Sequence, residues 1–190
     1  MTKIFFDTEF TGLYQDTKLI SIGCISEDGN TFYAELIEEH WLPGVQGYGF
    51  QWLNKNVISN LHYNDKKSFI DVFENGAGET KGVKMKGNLD QVQRHLNKWL
   101  GQYKEVEMWS DCLAYDWVLF DNIWGHSFSK PNNVYYIPFD ICTLFKVKGI
   151  DPDINREEFC GVSKLLEKDK HNALFDAEVI KSCYERLMSE

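Results

Sequence analysis

Two acids at the end of an apolar run constrain this chain more than any other feature. The segment Ile4-Phe5-Phe6-Asp7-Thr8-Glu9 reads as a strand of the core. Residues at i and i+2 on a strand point to the same face, so Asp7 and Glu9 are held side by side among apolar neighbours. Like charges that close repel, and taking them out of water is costly. A bound cation offsets both terms. Carboxylate oxygens as the only ligands suit Mg2+ or Mn2+.

The rest of the chain can build a core around such a strand. Its 190 residues are 43% apolar and 15% aromatic, which favours one domain over 1–190 and argues against disorder. No apolar run is long enough to span a bilayer, so no membrane partner is expected. Met1-Thr2-Lys3 leads straight into the first strand, and no signal peptide is read there. The five cysteines are scattered, with no C-x-x-C pair, so neither a zinc knuckle nor a disulfide framework is indicated. A cytoplasmic home follows as the expectation. The net charge of −9 argues against broad electrostatic adhesion to long nucleic acid. Bound divalent cations would reverse the sign locally, which leaves short or single-stranded ends as substrates.

Element order can be read in outline. Residues 3–8, 18–26 and 31–37 read as three strands, the last two joined by the turn Glu27-Asp28-Gly29-Asn30. Residues 40–87 read as an irregular insertion with at most one short helix around VISNLHY and turns at Asn75-Gly76 and Gly78. Lys81, Lys84 and Lys86 read there as a solvated loop, or in a sharper reading as a phosphate-contacting arm. Leu89, Val92, Leu96, Trp99 and Leu100 recur at helical spacing behind an Asn88 cap, and Gly101 fits the end. A strand at 106–109, a helix at 113–124, a strand at 134–137 and a helical piece at 141–145 follow. Helices at 155–167 and 174–187 close the chain. This order predicts an α/β fold with a mixed sheet, three antiparallel strands and then parallel ones, flanked by helices. Functional residues in such sheets gather where strands end. Asp7 and Glu9 fall there, and Asp116 falls in the first turn of the next helix, where a capping role is its plain alternative.

The motifs D-x-E at Asp7 and Glu9, a lone Asp116 in SDCLAYDWVLF, and H-x4-D at His171 and Asp176 in HNALFDAE now stand in one order. Together they resemble the DEDDh exonucleases, also called DnaQ-like 3'-5' exonucleases, over the whole chain. The first motif carries most of the likeness, because FDTEFTGL continues into the family's Thr-Gly-Leu. Among members the chain is most similar to small single-domain 3'-5' exoribonucleases of bacteria and phages.

The resemblance implies a ribonuclease H-like fold and hydrolysis of terminal phosphodiesters to nucleoside 5'-monophosphates. It implies two Mg2+ or Mn2+ ions held by Asp7, Glu9, Asp116 and Asp176, with His171 as general base. Asp111, five positions before Asp116, stays open as the fallback ligand or a neighbouring contact. Phe10, Thr11, Gly12 and Leu13 are the implied substrate-binding segment. Trp117 is a stacking candidate by adjacency. Lys164, Lys168 and Lys170 could steer phosphates but read more simply as a helix face. The expected partner is a nucleic acid with a single-stranded 3' end, RNA in preference to DNA, and a homodimer is a further expectation from relatives. A DNA exonuclease and a catalytically inactive nucleic-acid-binding module remain the alternatives.

Overall fold

The computed structural model of the chain describes residues 1–42, 45, 49–76, 78–161 and 170–189. Its centre is a meander of β1 (Thr2–Phe10), β2 (Leu19–Ser26) and β3 (Thr31–Leu36), paired antiparallel. β1 carries apolar side chains on both faces because both faces are covered. Ile4 and Phe6 enter one buried cluster with Val92, Leu96, Trp99 and Phe120, while Phe5 enters another with Ile141, Phe145, Ala177 and Ile180. Asp7 and Glu9 continue the Phe5 face.

After the meander come α1 (Glu38–Trp41), α2 (Gly49–Asn56), a 3-10 turn at Ile58–Asn60, β4 (Phe69–Glu74) and β5 (Thr80–Gly87). The second half comprises α3 (Leu89–Leu100), β6 (Val106–Ser110), α4 (Ala114–Asn122), β7 (Phe139–Asp140), α5 (Ile141–Val147), α6 (Arg156–Cys160) and α7 (Ala173–Ser189). The seven strands make one mixed sheet in the order β4-β5-β3-β2-β1-β6-β7. β6 runs parallel to β1 and β7 parallel to β6; the β6 ladder stops at Phe5, so the end of β1 runs on past β6, paired with β2 alone. α3 starts on a capping box: Asn88 Oδ1 accepts from Gln91 N at 2.9 Å, and Gln91 Oε1 accepts from Asn88 N at 2.9 Å.

Several expectations are corrected here. Among the described residues of 40–87 the segment is more regular than expected: β4 and β5 pair antiparallel, and β5 joins the sheet parallel to β3. Lys81, Lys84 and Lys86 therefore stand on a strand rather than a loop. Lys86 is fully buried, donating to Glu38 Oε1 at 2.6 Å and Tyr63 O at 3.1 Å, which takes it out of any role with phosphates. The strand expected at 134–137 contributes one bridge, Val134 to Val106, and the ladder resumes at Phe139. Pro138 explains the break, since it lacks an amide and restricts the residue before it. Of the helix expected at 155–167, Arg156–Cys160 is helical and ends on a left-handed Gly161. The remainder, with Lys164 and Lys168, lies outside the described residues. Among the described residues, no helix is long and apolar enough to cross a membrane.

Candidate active site

The end of β1 meets α4 on one face and α7 on the other, and each helix delivers one carboxylate. α4 is fixed through Asp116, whose Oδ1 accepts from the Thr8 backbone N at 3.0 Å and from Thr8 Oγ1 at 2.5 Å. Thr8 sits between Asp7 and Glu9 and points the opposite way. One buried threonine thus anchors the third acid beside the first two.

α7 is brought in by a missing side chain. Gly23 on β2 lies directly across the ladder from Asp7. A Cβ there would fall 2.3 Å from the backbone C and O of Ala173 and the N of Leu174, so only glycine admits the first turn of α7 this close to the sheet. That approach carries Asp176 to the acids of β1. Donor atoms of Glu9, Asp176 and His171 lie within 4.8 Å of one another. His171 adopts a left-handed backbone, with φ 62°, and its N donates to Asp176 Oδ2 at 3.0 Å.

The electrostatics match the crowding. Removal from water holds the Asp7 carboxyl well above the usual range, and the charges of Asp116, Asp176, Glu9 and Asp111 push it further. Glu9 is raised by burial and then by Asp176 and Asp116. Burial lifts Asp116 to about 6 against the Thr8 hydrogen bonds, and lifts Asp176 to about 7 against the His171 amide. His171 is held below the ordinary imidazole value by burial and by Lys170, with Glu157 opposing. The acids therefore repel one another in a poorly hydrated corner, and the imidazole is biased to its neutral form. Four carboxylates converging on one cleft are a donor set that fits hard divalent cations.

These groups line a cleft of about 740 Å3 with an aromatic and aliphatic rim. Phe10, Thr11, Gly12 and Leu13 all border it. The Phe10 and Tyr115 rings stack at 5.5 Å with 17° between planes, and Leu13 is 77% exposed. Thr11 turns its hydroxyl into its own loop, accepting from Lys18 N at 3.0 Å. The facing wall comes from the segment that the sequence left unread. Trp52, Leu53 and Val57 line it, and the Trp52 ring meets the His171 ring edge-on at 5.2 Å.

Two further expectations separate in the structure. Asp111 borders the cleft but is held by Arg156, with Nε to Oδ2 at 2.8 Å and Nη2 to Oδ1 at 3.1 Å. Asp116, by contrast, is tied to β1 itself. Trp117 packs against Phe6 and stacks on Phe120 at 5.3 Å, under the Lys130 ammonium. It belongs to the core, and its neighbour Tyr115 is the aromatic in the cleft. Tyr115 and Trp52 are the residues that sequence reasoning missed. Tyr115 stood one position from the Asp116 motif, which was the available signal, whereas nothing local marked Trp52.

The molecule is an α/β protein with an acidic, aromatic-rimmed cleft where its central strand ends. A model of the 3'-5' exoribonuclease Rv2179c-like domain matches residues 2–188, and the chain belongs to that family. Two proteins of Mycobacterium tuberculosis are similar to it: "3'-5' exoribonuclease MT2234.1" of strain CDC 1551 / Oshkosh and "3'-5' exoribonuclease Rv2179c" of strain ATCC 25618 / H37Rv. Each is 24% identical over 177 residues, covering 92% of this chain and 86% of the relative.

Proposed function

We propose that this chain is a metal-dependent 3'-5' exoribonuclease of the DEDDh type on a ribonuclease H-like fold. It removes nucleoside 5'-monophosphates from single-stranded or overhanging 3' ends. The observation that carries the reading is the convergence of Asp7, Glu9, Asp116, His171 and Asp176, from segments far apart in sequence, on one cleft. Family membership and the names of the two relatives support RNA as the substrate.

Asp7, Glu9, Asp116 and Asp176 would hold two Mg2+ or Mn2+ ions, which relieve the mutual repulsion of the acids. When bound, such ions polarise a phosphoryl oxygen and lower the pKa of water. His171 takes the proton from the attacking water, a role suited to an imidazole biased to its neutral form. Its backbone bond to Asp176 ties that base to the acid cluster. Phe10, Tyr115, Leu13 and Trp52 receive the terminal bases by stacking and apolar contact, which is tolerant of sequence. Gly12 leaves the loop backbone free to approach the nucleotide. The net charge of −9 confines binding to this cleft rather than to a broad surface. A cytoplasmic setting fits the unpaired cysteines.

Matched RNA and DNA oligonucleotides with 3' overhangs, digested side by side with Mn2+, test the substrate. Faster release of ribonucleotides is expected. Equal or faster cleavage of DNA would overturn the RNA preference and leave the exonuclease reading standing.

A further inference from the structure

His171 sits between two residues that both touch Asn60, Lys170 through the Asn60 side chain and Asn172 through the Asn60 main-chain carbonyl. Asn60, at the end of the 3-10 turn behind α2, donates from Nδ2 to Lys170 O at 2.6 Å. The same Nδ2 donates to Asn56 O at 2.8 Å, at the last residue of α2. Both amide protons are thus used, one on the helix that carries Trp52 and one on the residue before His171. On the other side of His171, Asn172 Nδ2 faces the Asn60 carbonyl at 3.4 Å, Tyr33 Oη at 3.1 Å and His62 Nε2 at 3.3 Å. Asn172 is 3% exposed, and its Oδ1 accepts from Leu174 N at 3.2 Å and Phe175 N at 3.3 Å at the start of α7.

A left-handed backbone is unfavourable for a residue with a Cβ and persists only where its surroundings over-determine it. At His171 those surroundings are the Asp176 carboxylate on its own N, Asn60 across the preceding carbonyl, and the buried Asn172 after it. The first belongs to the acid cluster. Asn60 belongs to the inserted segment, which sequence reading left without a function, and Asn172 reaches that segment from the start of α7 through the Asn60 carbonyl and the His62 ring.

We propose that Asn60 is a positioning residue for His171, and that the inserted segment carries the aromatic wall and sets the general base as one piece. The inference rests on the general-base reading of His171 given above. Asn60 touches neither substrate nor cation. Its amide ties the residue before His171 to the last residue of α2, so the imidazole stays against Trp52. Loss of the amide frees the loop without removing any ligand.

The test is a cycle of Asn60→Ala and His171→Ala, with turnover, KM, Mn2+ binding and thermal midpoint measured on each purified full-length variant. Asn60→Ala should lower kcat by about 10- to 100-fold, the size of effect that a displaced catalytic group produces. KM and Mn2+ affinity should stay within about twofold, because the groups that supply them are untouched. In the His171→Ala background the same change should cost no further turnover, since Asn60 acts through the imidazole. Asn60→Asp preserves volume but turns an oxygen toward two carbonyls, and should match or exceed the loss in Asn60→Ala. Unchanged kcat in Asn60→Ala, or an equal fold-loss in both backgrounds, overturns the proposal while the role of His171 stands. Full turnover by His171→Ala would instead remove the general-base reading and this inference with it.

Discussion

On the floor of the cleft, Asp7 and Glu9 stand on β1 of a seven-stranded sheet, paired with β2 and just past the last pair with β6. On the wall facing them, Trp52 stands on an eight-residue helix with 55% of its surface in solvent. The floor is rigid because its acids share a backbone with the core, so it can hold like charges that would otherwise drift apart. The wall is a graft onto that sheet, held by Leu53 and Val57 in the core and by polar ties such as the Asn60 amide and the ion pair from buried Lys86 to Glu38. The difference teaches that most of the chemistry and most of the substrate contact are separable here: changes to the floor should abolish turnover, changes to the wall's aromatic lining should loosen binding, and the Asn60 tie to Lys170 is the point where the wall reaches the chemistry.

Asp7→Ala is the hardest test of the floor. Turnover is expected to fall by about 1,000-fold or more, the scale seen when a preorganised charge-stabilising group is removed. The metal-free variant should melt no lower than the parent, because a raised carboxylate has been relieved. Turnover comparable to the parent's would dissolve the distinction between floor and wall. Next in size, His171→Ala is expected to cut kcat by about 100-fold or more, the usual contribution of general base catalysis. Mn2+ affinity from calorimetry should change far less. A matching loss of affinity would make His171 a ligand rather than a base.

Gly23→Ala attacks the joint that brings α7 onto the floor. The added methyl meets backbone that has no rotamer to yield, and a loss of about 1–3 kcal/mol in denaturant unfolding is expected. Unchanged stability with unchanged turnover would mean that α7 does not need this approach. On the wall, Trp52→Ala should raise KM by about tenfold, as the loss of one stacked base does, with a smaller change in kcat. A variant that loses kcat while keeping KM would move Trp52 to the floor's side of the comparison.

The smallest effect is in stability against pH. Asp116 and Asp176 titrate near 6 and 7 in the folded chain, above their unfolded value of 3.8. The folded state thus holds more protons across this window, and stability falls as pH rises through it. The thermal midpoint of chelated protein should therefore drop between about pH 4 and 7, and Mn2+ should raise it more at the upper end. In an Asp176→Asn variant this slope should flatten; an unaltered slope would assign the pH dependence elsewhere.

Much of the floor was legible in the letters because its determinants are local. The apolar run before Asp7 marks a core strand, and Asn88 marks a helix start, which the structure completes with Gln91 as a capping box. The wall was illegible for a physical reason. β4 is an edge strand whose side chains are mostly exposed, so no buried face imposed an apolar alternation on it. β5 does alternate, with Val83 and Met85 turned into the core. Its lysines disguised that pattern, because Lys86 is buried only with the help of Glu38, far off in sequence. Asn60 carried no signal of its tie to the site, since Lys170 O is a backbone carbonyl brought near only by the fold.

The most direct measurement is a time course on a 5'-labelled RNA with a 3' overhang, run with chelated protein and again after adding Mg2+ or Mn2+. Stepwise shortening from the 3' end, one nucleotide at a time and only with the cation present, is the expected result. Shortening that proceeds equally under chelation, or no shortening with either cation, would contradict a hydrolytic centre built on Asp7, Glu9, Asp116 and Asp176.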